Sequence, residues 1–206
     1  MSPPSSKRSP SDVFPLPARV LHWLMAILIL AMVFIGIGMV STVSDRHTWL
    51  LALHKPLGVT ILALVCIRLA VRLRNPPPPL PADLPRLQRL AAIASHWLLY
   101  ALMFALPLVG WMMLSAGGYP VSLGGGLQLP AIAPVDATWF AVLRWSHRAL
   151  AYLLFGVFLL HFAAALYHGL IRRDSVLRSM LWRKRAETST TSDVSTTADA
   201  MGDETP

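Results

Sequence analysis

From Trp145 the chain runs Trp-Ser-His147-Arg-Ala-Leu-Ala-Tyr-Leu-Leu-Phe-Gly-Val-Phe-Leu-Leu-His161-Phe-Ala-Ala-Ala-Leu-Tyr-His168-Gly-Leu-Ile-Arg-Arg-Asp174, an apolar segment with three histidines spaced fourteen and then seven residues apart. At about 100° per residue, these spacings return to within about 40° and about 20° of the starting face, so one helix would carry all three imidazoles along one stripe. Fourteen residues also rise about 21 Å, most of the way across a hydrocarbon core of about 30 Å. His147 and His161 would then lie near opposite membrane surfaces and face the same way. Such an arrangement asks for partners on neighbouring helices.

Composition places the rest of the chain in the same setting. The 206 residues are 55% hydrophobic and only 14% charged, with a mean hydropathy of +0.55. That is too apolar for a soluble domain of this size. The net charge of +8 comes from basic residues clustered beside the apolar runs, a pattern that sets membrane topology and gives no reason to expect a nucleic-acid partner. The single Cys66 excludes an intramolecular disulfide and a Cys₄ metal or iron–sulfur site.

The sequence predicts an all-α fold, a four-helix transmembrane bundle over residues 18–182, with helices at about 18–40, 50–73, 89–115 and 142–171. Residues 1–17, rich in Pro and Ser, read as a flexible leader, and residues 183–206 as a disordered tail. Asn75-Pro-Pro-Pro-Pro79 ends the second helix, and Pro107 with Gly110 predicts a kink in the third. Residues 116–138 hold Gly117-Gly118 and Gly124-Gly125-Gly126 and read as a long loop. Lys7, Arg8 and Arg19, then Arg72, Arg74, Arg86 and Arg89, then the Arg172–Arg185 cluster, place both termini and the second connection in the cytoplasm.

This topology assigns a depth to each histidine. His54 and His147 pair near the periplasmic surface, and His22 pairs with His161 near the cytoplasmic one, while His47 falls in the first outer loop. Each pair can supply two axial nitrogens to one b-type haem, which needs no cysteine. Depth leaves His96 and His168 as alternative inner ligands; His161 is favoured over His168 as the deeper of the two. Ionisable groups inside a membrane are costly and usually functional, and four of them match in two opposed pairs. All ten acidic residues lie outside the apolar runs, so no carboxylate relay crosses the bilayer and neither a proton pump nor a metal transporter is favoured. Arg19, Lys55 and Arg148 flank the proposed ligands and are candidates to pair with haem propionates.

These residues resemble the bacterial cytochrome b561 family. The likeness covers about residues 14–182. It is carried by Leu21-His22-Trp23, by His54-Lys55 with Gly58, Arg68 and Arg72, by His96 with Tyr100, Pro107 and Gly110-Trp111, and above all by His147, His161-Phe-Ala-Ala-Ala-Leu-Tyr-His168 and Arg173-Asp174. The resemblance implies a di-haem protein of the inner membrane, with two haem b held by His22/His161 on the cytoplasmic side and His54/His147 on the periplasmic side. It also implies electron exchange with ubiquinone/ubiquinol, as a quinone-linked oxidoreductase, and in one branch oxidation of superoxide at the periplasmic face. His168 is a candidate quinone contact or proton acceptor, since imidazole titrates near neutrality. A second reading is a haem-bearing membrane anchor and relay for a separate dehydrogenase or periplasmic electron carrier, with loop 116–138 as the docking surface.

Overall fold

The computed structural model describes residues 14–77 and 83–181. Most of the leader (1–13), part of the proline-rich connection (78–82) and the tail from residue 182 lie outside the described residues. Four long helices dominate: α1 (Leu16–Val40), α2 (Asp45–Arg74), α3 (Arg86–Ala116) and α4 (Ala137–Leu166). Each is long and apolar enough to cross a membrane. A π-helical turn over Tyr167–Arg172 extends α4, and a short helix α5 (Ser175–Leu181) follows.

The helices start earlier than hydropathy alone implies, because their first turns are polar and amphipathic. α4 begins at Ala137, where the Asp136 side chain caps it by accepting from the Trp139 backbone N–H at 2.8 Å. α2 begins at Asp45, whose carboxylate sits in the first turn where the helix dipole favours negative charge. The first connection is therefore only residues 41–44. His47 lies inside α2, not in a loop, and its Nδ1 is 2.9 Å from the Met39 carbonyl oxygen. Pro56 consequently falls within α2, not in its first turn, and Pro107 falls within α3. Neither proline ends its helix.

The 116–138 connection is more ordered than its glycines suggest. Val121–Gly124 (β1) pairs antiparallel with Leu127–Leu129 (β2), a small departure from an all-helical chain. Gly125 and Gly126 form the two-residue turn with φ of +58° and +82°, the left-handed pair that a tight hairpin requires. The hairpin is tied down by buried Val121, and the segment after it by Trp111 Nε1 donating to the Pro130 carbonyl at 2.9 Å.

The core is built by α1, α2 and α3 through Met25, Ile29, Ile61, Val65, Tyr100 and Met103. α1 packs along α2 and α4 along α3, with a lighter α2–α3 contact between the two pairs. Large apolar side chains such as Phe34 and Leu160 remain exposed on the outside of the bundle. In water such a surface would be an aggregation hazard, whereas lipid chains solvate it at no cost.

Candidate functional site

α4 places His147 and His161 on the stripe expected from their spacing, and each meets an imidazole from an earlier helix. The His54 and His147 rings are 6.1 Å apart between centroids at an interplanar angle of 67°, and the His22 and His161 rings 6.3 Å apart at 66°. Two pairs from three different helices thus repeat nearly the same geometry at the two ends of α4. Two imidazoles on opposite sides of one metal ion have ring centres about 6 Å apart, given a metal–nitrogen bond of about 2 Å and about 1 Å from nitrogen to ring centre. Both pairs meet that spacing.

The surroundings fit a metal-centred ring as well. His54 Nδ1 and His147 Nδ1 are buried without a hydrogen-bond partner. A buried polar nitrogen left unpaired is costly, so such a pair at one level calls for a ligand. Gly110 on α3 clears the space for His147: a Cβ at this position would stand 3.2 Å from His147 Cε1 and 3.4 Å from its Nδ1. Gly58, the small residue next to His54 in the sequence pattern, faces Met32 of α1 instead, at an ordinary 3.7 Å.

The His22/His161 pair sits in a different cluster. His96 of α3 also faces His161, with centroids 5.2 Å apart. That is closer than two ligands on opposite sides of one ion can stand, so His22 is the better opposed partner. Arg68 Nη2 of α2 donates to His22 Nδ1 at 2.7 Å. The Arg68 and Arg72 guanidinium carbons lie 5.4 Å and 6.0 Å from the centre of the Tyr100 ring. Sequence reading used these arginines for the family resemblance and, for Arg72, the topology, and assigned neither a partner. Their role near His22 became visible once α1, α2 and α3 were packed together.

His168 stands apart from both pairs. The π-helical turn and Arg173, at a left-handed φ of +54°, bring Asp174 back beneath it. His168 Nδ1 donates to Asp174 Oδ2 at 2.5 Å, and Arg172 Nε reaches the same oxygen at 3.2 Å. Arg172 also pairs with Asp83, which ties the end of α4 to the α2–α3 connection. The carboxylate holds Nδ1 and so orients the ring, with Nε2 on the opposite side. The His168–Asp174 contact was missed in the sequence because a separation of six residues does not predict contact in an ordinary helix.

The propionate candidates are distributed unevenly. Arg19 donates to the carbonyls of Met180 and Leu181, and Trp23 Nε1 also donates to Met180. Arg19 therefore caps the carboxyl end of α5 and is not free beside His22. Lys55 is part-buried and Arg148 exposed. Among the described residues neither meets a carboxylate.

Comparison with known proteins agrees with this arrangement. A family model described as prokaryotic cytochrome b561 matches residues 13–183. The chain is 35% identical over 173 residues to cytochrome b561 homolog 2 of Escherichia coli K12, covering 81% of this chain and 89% of that protein. It is 30% identical over 167 residues to a probable superoxide oxidase, CybB, of Yersinia pestis, covering 80% and 93% respectively. It is 26% identical over 168 residues to cytochrome b561 homolog 1 of the same E. coli strain. The four spans, the histidine stripe and these matches together make the chain a member of the prokaryotic cytochrome b561 family, multi-pass b-haem proteins that transfer electrons in the bacterial inner membrane.

Proposed function

We propose that the chain carries electrons across the inner membrane through two b haems, exchanging them with the ubiquinone/ubiquinol pool on the cytoplasmic side. On the periplasmic side the partner is superoxide or a periplasmic electron carrier. The reading rests on one observation above the others: two imidazole pairs, 6.1 Å and 6.3 Å between ring centres, at opposite ends of one transmembrane helix. His54 and His147 would hold the periplasmic haem, and His22 and His161 the cytoplasmic one. Bound there, haem supplies one-electron redox chemistry that no amino-acid side chain in the bundle offers.

The protein's own residues supply position and proton handling. Basic residues flanking α1, α2, α3 and the end of α4 favour the orientation with both termini in the cytoplasm, which puts His168 on that side. Asp174 holds His168 through Nδ1 and leaves Nε2 to exchange a proton with the quinone, delivering it when electrons arrive from an outer donor such as superoxide and accepting it when quinol is the donor. The exposed apolar outer surface of the helices gives a quinone access from the lipid.

The 30% identical relative is named a probable superoxide oxidase, which supports superoxide as the outer donor. Purified protein reduced by ubiquinol analogue, or by enzymatically generated superoxide, should show a b-type reduced spectrum with two haems per chain. A haem-loaded protein inert to both would instead favour the relay subunit serving a separate dehydrogenase.

A further inference from the structure

Arg68 and Arg72 form a cationic pair that meets no anion among the described residues. They lie one helical turn apart on α2, stacked over the ring of buried Tyr100. Both guanidinium groups are part-buried within the bundle. α1 and α3 contain no Asp or Glu, and Asp45 is at the far end of α2. Of the inner carboxylates among the described residues, Asp174 is engaged by His168 and Arg172, and Asp83 by Arg172. Two like charges on one aromatic ring repel unless an anion joins them, and guanidinium cannot relieve the strain by losing its proton.

The contact to His22 sharpens the point. Arg68 occupies the His22 Nδ1 lone pair at 2.7 Å. A neutral imidazole that gives one nitrogen to a metal carries a proton on the other, so neither nitrogen can then accept from arginine. With His22 holding haem iron through one nitrogen, Arg68 would need another acceptor at the same depth.

We propose that this acceptor is a carboxylate of the cytoplasmic haem, with Arg68 and Arg72 as its receiving site and Tyr100 as the platform that holds them. The inference rests on His22 being a haem ligand, as proposed above. It moves the inner propionate partner from Arg19, which is committed to the α5 carbonyls, to the second helix.

The test compares haem b with its dimethyl ester, in which both carboxylates are methylated. Each is titrated into full-length apoprotein in phosphatidylcholine nanodiscs and followed by Soret absorbance. Wild type should bind the ester at one site roughly tenfold or more weaker than haem, the worth of a charge-assisted pair. The Arg68→Gln/Arg72→Gln double variant should lose that discrimination, and Arg68→Lys should keep part of it. Equal binding of haem and ester by wild type, or equal discrimination in wild type and double variant, overturns the assignment. So does a haem affinity that depends on Arg68 and Arg72 only when phosphatidylglycerol is present, which would make the anion a lipid phosphate. No haem binding at all would instead overturn the ligand reading of the histidine pairs. The wild-type arm stands on its own if the double variant fails to assemble.

Discussion

The two ends of α4 present nearly the same pair of rings to opposite kinds of surroundings. At the outer end, His54 and His147 have buried nitrogens without hydrogen bonds, and Gly110 makes room for the ring. At the inner end, His22 is bonded by Arg68, His96 crowds His161, and a second arginine shares the Tyr100 ring. One site is defined by space and the other by charge. Charge and hydrogen bonds near the metal tune a haem's potential and burial limits solvent access, so haems held at the two pairs as proposed would meet unlike surroundings and would differ in potential.

The difference can be broken one end at a time. The largest effect is expected at Gly110. A Cβ there already presses on His147, so Gly110→Leu should abolish haem binding at the outer pair, and Gly110→Ala should weaken it, with the inner haem retained in both. Overpacking of this kind costs about 1–3 kcal/mol. The haem-to-protein ratio of variants whose helical content is unchanged checks this, and loss of the inner haem instead would reverse the assignment.

Asp174→Asn comes next. It removes the carboxylate charge that holds His168 Nδ1 while leaving both imidazole pairs untouched. Quinol turnover should fall roughly 10–100-fold, the usual cost of losing such a supporting partner, with the reduced spectrum unchanged. Equal turnover in the variant would remove His168 from the quinone side.

The smallest effect is expected at His96. His96→Ala should keep both haems, because its ring stands too close to His161 to oppose it on one metal ion. A haem-to-protein ratio that drops on this substitution, but not on His22→Ala, would exchange the two as inner ligands.

Much of the architecture was legible in the sequence because the bilayer imposes one requirement on every span. Four apolar runs of sufficient length and the proline stop after Asn75 gave four helices, each found to within a few residues. What escaped were the features that depend on contacts between helices or on local backbone geometry. The Asp136 cap extends α4 by a polar first turn that hydropathy cannot register. The hairpin at Val121–Leu129 is too short to show an alternating pattern. The histidines were visible as a stripe and as depths, but depth does not separate His22 from His96; ring separation does. Arg68 and Asp174 were read as part of the family pattern, but their contacts were hidden for the same reason. One reaches its partner across helices and the other through a π-turn that periodicity at 3.6 residues does not foresee.

The two ends of α4 are expected to hold haem independently of one another. Haem content and redox-titrated absorption spectra should be measured on purified wild type, His54→Ala, His147→Ala, His22→Ala and His161→Ala. Wild type should hold two haems per chain and titrate in two steps. His54→Ala and His147→Ala should each retain one haem with the same residual spectrum, and His22→Ala and His161→Ala should each retain the other. Equal loss of both haems in every variant, or a residual haem shared by His54→Ala and His161→Ala, would contradict the pairing.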